Sequence, residues 1–308
     1  MLRGNLRTAD LFEEGLVFPH HDPATIREPM PRLTRRRLLQ SLSAAALTPL
    51  AARAERKMIA TEFFEVSDVE VHLASLDPAH DGLRVVQLSD LHIGSGVPDG
   101  RIISAVREVN ALKPDLVVLT GDFVTSKRDP LSRVPQLLEP IAAPRVAVLG
   151  NHDYWSGPRE LHDGLERIGV SVLQNENTAV RLKGVDFHVI GVDDSTTQHD
   201  DVDVAYRGAG QASRLVLTHT PNAASKLPAW EDVLCLSGHT HGGQWDVPRL
   251  TQGVFRTVGQ PWYRGAYRVR GNQLYVNRGL GFGRGTRLPR INSDPEVTLI
   301  TLRHREPV

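Results

Sequence analysis

The chain has 308 residues and 36 lysines and arginines against 36 aspartates and glutamates, so no global field would hold it on a nucleic acid. A hydrophobic content of 40% and a charged content of 23% are ordinary for a soluble globular protein, and the length suits one large domain with or without a removable leader. The single cysteine, Cys235, excludes an intrachain disulfide and reads as a buried, inert thiol within the apolar run Val233–Leu236.

Residues 1–54 read as a disordered leader. Thr34-Arg35-Arg36-Arg37-Leu38-Leu39-Gln40 is a basic start, Ser41–Ala52 is a short, weakly apolar stretch, and Ala52-Arg53-Ala54 is an Ala-x-Ala cleavage signal. The paired arginines before Leu38-Leu39 resemble a twin-arginine export signal, which implies the matching export machinery as a partner and a destination in the periplasm or cell envelope. An amphipathic surface helix with a basic start is the alternative. Met30 makes a more usual start for such a signal than Met1. His20-His21-Asp22, ahead of the cleavage signal, is expected to be incidental.

From residue 60 to residue 302 the pattern is that of a single folded domain. Glu62–Leu73 alternates in part and predicts an edge strand or hairpin. Leu83–Leu88 is a buried-strand run; Ile102, Ile103, Val106, Val109 and Leu112 have helical spacing and stop at Lys113-Pro114. Leu116–Leu119 and Arg145–Leu149 are further strand runs, so strand, helix and strand follow one another as in βαβ units with a partly parallel sheet. A helix near Pro158–Ile168 precedes a hairpin, Ala179–Leu182 with Val185–Val192 about a Lys183-Gly184 turn. Then come the short runs Leu215–Leu217 and Val233–Leu236 and a strand-rich end, Tyr267–Arg270, Gln273–Asn277 and Glu296–Leu302.

Five of these strand runs are followed at once by a polar cluster: Asp90-x-His92, Gly121-Asp122, Asn151-His152-Asp153, His219 and His239-x-His241. In an open α/β sheet the ligand site lies beyond the carboxyl ends of the strands, so the five clusters converge. Each fragment alone is weak evidence; five at one edge are not. Divalent ions of the Mn, Fe and Zn kind accept imidazole nitrogen and carboxylate oxygen. A carboxylate can bridge two ions, and Asp122 in its tight turn is the natural bridge. The neutral amide of Asn151 adds an oxygen without charge.

The series D-x-H, G-D, G-N-H-D, H and G-H-x-H, complete and in order, resembles the calcineurin-like metallophosphoesterase superfamily over the whole stretch 60–302. The resemblance implies an α/β fold, a four-layer sandwich of two facing mixed β-sheets flanked by helices. It implies two divalent metal ions, the first held by Asp90, His92, Asp122 and His241 and the second by Asp122, Asn151, His219 and His239. A metal-bridging hydroxide would then attack a phosphomonoester, phosphodiester or pyrophosphate. His152 would stand near the leaving oxygen as general acid or charge stabiliser, oriented by Asp153; a helix or turn cap is the other role open to Asp153.

Leu88–His92, Gly238–Gln244, Asp193-Asp194, Asn277–Gly281, Arg290 and Pro295-Glu296 resemble the bacterial branch of secreted or membrane-attached phosphoesterases. That branch implies a possible peripheral association with membrane or envelope. Purple acid phosphatases carry a tyrosine three residues after the bridging aspartate; here that residue is Thr125.

From Trp245 to Val308 there are 11 arginines, no lysine and 4 acids. This suits an anionic substrate, although solvated arginines give the same count. Gly279–Gly285 lacks the helix and Lys-Ser/Thr pair of a nucleotide loop and is expected to rim the site, with Arg278, Arg284, Arg287 or Arg290 available to phosphate; a plain connection is the alternative. His72, His80, His162, His188, His199 and His304 read as structural or surface groups. Two rivals stand beside a general phosphoesterase: a pyrophosphatase for a UDP-diacylglucosamine-type lipid precursor, and a non-catalytic metal-binding scaffold on the same fold.

Overall fold

A computed structural model describes residues 63–94, 96–247, 249–283 and 290–306. The leader expected at 1–54, and Arg284 and Arg287, lie outside the described residues. Twelve strands fall into two six-stranded sheets. The first runs β1 (Glu65–Leu73), β12 (Glu296–His304), β2 (Leu83–Leu88), β3 (Leu116–Thr120), β4 (Arg145–Val148) and β5 (Val170–Val172). The second runs β10 (Gly265–Val269), β11 (Asn272–Val276), β9 (Leu234–Ser237), β8 (Arg214–Leu217), β7 (Val185–Gly191) and β6 (Glu176–Leu182). Both sheets are mixed: β2 to β5 are parallel with β12 antiparallel to β2, and β7, β8, β9 and β11 are parallel with antiparallel β6 and β10 at the edges.

Side-chain alternation sorts the apolar residues into three layers of core. On β3, Leu116 and Val118 face the second sheet, and Val117 and Leu119 face the helices. On β8 and β9, Leu215, Leu217, Leu234 and Leu236 meet them from the other side, while Val216 and Cys235 turn outward. The outer face of the first sheet carries α1 (Asp99–Leu112), α2 (Arg133–Leu138) and α4 (Pro158–Arg167), whose buried residues include Ile102, Val106, Leu138 and Leu165. On the second sheet lie α5 (Val202–Tyr206) and a 3₁₀ segment at Pro221–Lys226, through Ala205, Ala223 and Ala224. The result is four layers, α/β/β/α.

Local signals explain the boundaries. Helix α1 ends where Lys113 enters the left-handed region at φ 49° ahead of Pro114. The β6–β7 hairpin turns through Lys183 and Gly184, both at positive φ, as a two-residue turn compatible with strand twist requires. Strand β1 is an edge strand paired in parallel with β12. The short strand β5 and helices α2, α3 (Asn151–Ser156) and α6 (Leu250–Thr257) carry periodicity too brief to be read from sequence.

Candidate metal centre

Strands β2, β3 and β4 are neighbours in one sheet and β8 and β9 in the other, and the loops leaving their carboxyl ends meet. The loops go on pairing past the strands: the Asp90 N–H donates to the Gly121 carbonyl at 2.9 Å, His92 N–H to Asp122 O at 3.0 Å, and Gly238 N–H to His219 O at 3.0 Å. Five donor-bearing residues sit in the left-handed region, Asp90 (φ 50°), His92 (48°), Asp122 (55°), His239 (71°) and His241 (52°). Such backbones cost on the order of 1–3 kcal/mol each and persist only where the surroundings over-determine them. One such constraint is Gly279, φ 73°, where any Cβ would lie 2.6 Å from Cβ of Asp90.

The seven side chains proposed from the sequence form two groups. Asp90, His92 and His241 make one, with Nε2 of His241 3.1 Å from Nε2 of His92 and 3.4 Å from Oδ1 of Asp90. Asp122, His219 and His239 make the other. There Nε2 of His219 lies 3.2 Å from Nδ1 of His239, and Oδ1 of Asn151 lies 3.2 Å and 3.0 Å from those same nitrogens. Asp122 Oδ2 stands between the groups, 3.3 Å from Nε2 of His219 and 3.7 Å from Nε2 of His92.

The outer nitrogens of His219 and His92 are held as ligand histidines require. Nδ1–H of His219 donates to the Thr120 carbonyl at 2.8 Å, and Nδ1 of His92 pairs with Thr125 Oγ1 at 2.8 Å. Both rings therefore turn Nε2 inward. The Asp90 carboxylate accepts from Ser89 Oγ at 2.6 Å and from the His239 N–H.

Burial sets the protons. It holds His92 and His239 down to about 4 and His241 well below the usual imidazole range. It pushes Asp90 up to about 6, with the charge of Asp122 adding to the effect. For His219 burial opposes the charged form, yet the Asp122 carboxylate outweighs it and raises this imidazole well above its ordinary value. Asp122 in turn is held well below the carboxylate range: its burial is outweighed by the His219 charge and hydrogen bond. Three imidazoles are thus held neutral, and the fourth is held protonated beside a carboxylate.

Four imidazole nitrogens, two carboxylates and an amide oxygen, all on buried residues but the half-buried His239 and facing one another at 3.0–3.7 Å, fit a pair of divalent ions of the Mn, Fe or Zn kind. Nε2 of His92 and of His241, 3.1 Å apart in two neutral rings, have at most one proton between them, and a cation satisfies both.

Three expectations change on meeting the geometry. Asp153 does not orient the His152 ring. Its Oδ2 accepts from the N–H groups of Asp122 and Gly150, both at 2.9 Å, and its Oδ1 from Phe123 at 2.8 Å and Val124 at 3.3 Å. It caps α3 and clamps the turn that carries Asp122, which is the role of a cap. Burial pushes Asp153 up to about 8, followed in size by the charge of Asp122. Both of its oxygens nevertheless face N–H donors, which give a carboxyl proton nowhere to go, and the carboxylate is the form this geometry holds. The residue that orients His152 is Thr125, whose carbonyl accepts from Nδ1 at 2.7 Å. Thr125 therefore fixes both His92 and His152; in the sequence it served only to exclude a tyrosinate.

Arg278 and Arg290 are not free guanidiniums at the cluster. Arg278 is ion-paired with Glu65 at 2.9 Å and Glu296 at 3.1 Å, beside a cavity of about 250 Å³ lined also by Ser67, Arg264 and Tyr275. Arg290 is buried, donating to the carbonyls of Arg278 (2.7 Å) and Gly281 (3.0 Å), with Nη2 3.1 Å from Nδ1 of His241. It fastens the rim loop from within. Trp155, 52% exposed, lies edge-on to His152 with ring centroids 4.9 Å apart. Asp193 and Asp194 are structural here: Asp193 accepts from the Tyr154 hydroxyl, and Asp194 accepts from Thr220 Oγ1 at 2.8 Å, next to His219.

Residues 83–243 match the pattern of the calcineurin-like phosphoesterase family. The chain is 29% identical to the metallophosphoesterase YkuE of Bacillus subtilis (strain 168) over 286 residues, 89% of this chain and 99% of that one. It is 30% identical to the phosphodiesterase YaeI of Escherichia coli (strain K12) over 278 residues, 88% of this chain and 99% of that one. It is 28% identical over 276 residues to the UDP-2,3-diacylglucosamine pyrophosphatase LpxG of Chlamydia trachomatis serovar D, 71% of this chain and 83% of that one.

Proposed function

The chain belongs to the calcineurin-like phosphoesterase family, and from that premise we propose that it hydrolyses a phosphoester at a two-metal centre shared through Asp122. The observation that carries this reading is the position of Asp122 Oδ2 between two groups of buried donors, 3.3 Å from one and 3.7 Å from the other. Asp90, His92 and His241 would hold one ion, Asn151, His219 and His239 the other, and Asp122 both. Two such ions, when bound, lower the pKa of a water and offset charge on the phosphoryl oxygens.

The protein's own share is orientation and proton transfer. With Nδ1–H of His152 on the Thr125 carbonyl, Nε2 is the atom left to give a proton to the leaving oxygen or to stabilise its charge. Asp153, accepting hydrogen bonds from four backbone N–H groups, three of them in the Asp122 turn, keeps that turn from yielding as charge shifts across the site. Trp155, edge-on to the His152 ring, adds an exposed apolar surface beside it.

The test is hydrolysis of an aryl phosphodiester and the matching monoester by metal-stripped protein, with Mn, Fe, Zn or no metal returned, beside Asp122→Asn. Turnover restored by metal in the wild type and lost in the variant is expected. Tight metal binding with no turnover on any phosphoester, including a nucleotide-linked lipid pyrophosphate, would favour the scaffold instead. The LpxG relative supports a narrower second reading, a pyrophosphatase for a nucleotide-linked lipid. Cleavage of that substrate well ahead of both aryl esters would select it.

We also place the protein outside the cytoplasmic membrane, on the strength of Arg35-Arg36-Arg37 and the apolar stretch after them. Replacing the three arginines by lysine should leave the protein in the cytoplasmic fraction; unchanged fractionation would contradict export by that route.

A further inference from the structure

Beside the metal centre the surface changes character. Leu250, Val254 and Val258 are 64%, 51% and 67% exposed, and Trp245, Val247 and Ile291 are exposed with them. Positions 250, 254 and 258 recur every four residues, so on α6 and its C-cap they form one stripe about 12 Å long. Trp245 and Ile291 are bridged to each other at its border. A stripe of aliphatic side chains facing water is not what folding asks of a short helix.

The fold uses the adjoining face. Thr251 is buried, its N–H donating to the Val247 carbonyl at 2.9 Å and its Oγ1 to the Trp245 carbonyl at 3.1 Å, and Phe255 stacks on Tyr263 at 5.2 Å. A side chain at Gly243 would strike Thr251 Cγ2 at 2.7 Å, so α6 lies directly on the loop that carries His241. Polar residues at 250, 254 and 258 would leave all these contacts intact.

The charges carried by this segment have one sign. Arg249, at the N-cap of α6, and Arg256, on it, are exposed, and residues 247–260 contain no acid. Asp246, next in sequence, is buried and paired with Arg264 at 2.8 Å. A second copy of the chain would bring these arginines against one another, whereas an anionic surface with an apolar interior matches both the stripe and the arginines of its helix. We propose that the α6 face, Trp245, Val247, Leu250, Val254 and Val258 with Arg249 and Arg256, docks the protein on an anionic lipid bilayer beside the metal centre. The inference rests on exposure, spacing and charge, not on the reading of the active site.

Because Cys235 is buried, Val254→Cys in the full-length chain accepts a polarity-sensitive fluorophore selectively; Arg107→Cys, on α1 against the other sheet, is the control. With vesicles containing phosphatidylglycerol, the label at 254 should shift to the blue and be quenched by a lipid-borne quencher, and the label at 107 should do neither. Leu250→Asp with Val258→Asp should weaken that response at least about fivefold, and 0.5 M salt should weaken it too, with metal content and hydrolysis of a soluble aryl ester unchanged. A label at 254 that ignores anionic vesicles, or responds equally to purely zwitterionic ones, would overturn the proposal. So would a response that tracks self-association and disappears in the aspartate variant with the dimer.

Discussion

The two halves of the donor cluster are built from the same residue types and hold their protons differently. In the half made by Asp90, His92 and His241, burial keeps both imidazoles neutral and lifts the carboxylate. In the half made by Asp122, His219 and His239, the Asp122 carboxylate holds a proton on His219. Each carboxylate stands beside an imidazole, Asp90 3.4 Å from His241 and Asp122 3.3 Å from His219. What differs is the far side of that ring: Nδ1 of His241 faces the Arg290 guanidinium at 3.1 Å, whereas Nδ1–H of His219 donates to the Thr120 carbonyl at 2.8 Å. Neutral imidazoles carry no second proton to give up. A half closed by an ion pair must release a proton first.

Removing the shared oxygen should erase the distinction. Asp122→Asn is expected to lower turnover by about a thousandfold or more and to leave both halves short of metal, read by elemental analysis. Asp90→Asn, by contrast, should leave one ion behind, and equal stoichiometry in the two variants would break the comparison. His152→Asn should cost about a hundredfold to a thousandfold in turnover with both ions retained, since its ring is held by Thr125 and not by the cluster. Metal loss in that variant would return His152 to the ligand set. Asp153→Asn places an N–H among four N–H donors and should destabilise the protein by about 2–4 kcal/mol in urea unfolding, with the Asp122 half losing its ion first.

A subtler effect concerns protons. His219, raised above its ordinary value, is charged at pH 7 in the metal-free protein, so loading metal should release about one proton per chain. Calorimetry in buffers of different ionisation enthalpy measures this. The release should decline as pH rises past the folded value, because the proton has then already gone; release that grows with pH would contradict the pairing. The smallest effect is expected at the rim. Arg278→Gln should change KM by no more than about twofold and stability by about 1 kcal/mol, as its guanidinium already serves Glu65 and Glu296.

Much of this was legible before any coordinates. Short continuous apolar runs placed β2, β3, β4, β8 and β9, and the polar residues directly after each run formed the cluster, because a strand end is a point in space as well as in sequence. The support behind the cluster was not legible. Asp153 reads as a companion of His152, its neighbour, but its bonds go to amides about 30 residues away in the Asp122 turn. Thr125 carries no pattern that separates a hydroxyl and carbonyl at work from a loop residue. Arg290 and Arg278 look like anion ligands in an arginine-rich tail, and only their carbonyl and carboxylate partners reveal structural duty. Helix α6 was missed because Leu250, Val254 and Val258 are diluted by Gly253 and bounded by loop residues. Its stripe faces water, so the usual link between apolar period and core does not hold there.

The central claim is that one carboxylate joins two metal sites into one hydrolytic centre. It is tested most directly by adding Mn in small steps to metal-stripped wild-type protein while recording both bound metal and the hydrolysis of an aryl phosphodiester. The account predicts little hydrolysis while the first equivalent binds and a steep rise as the second fills. Full activity at one equivalent per chain, or activity indifferent to metal, would contradict it.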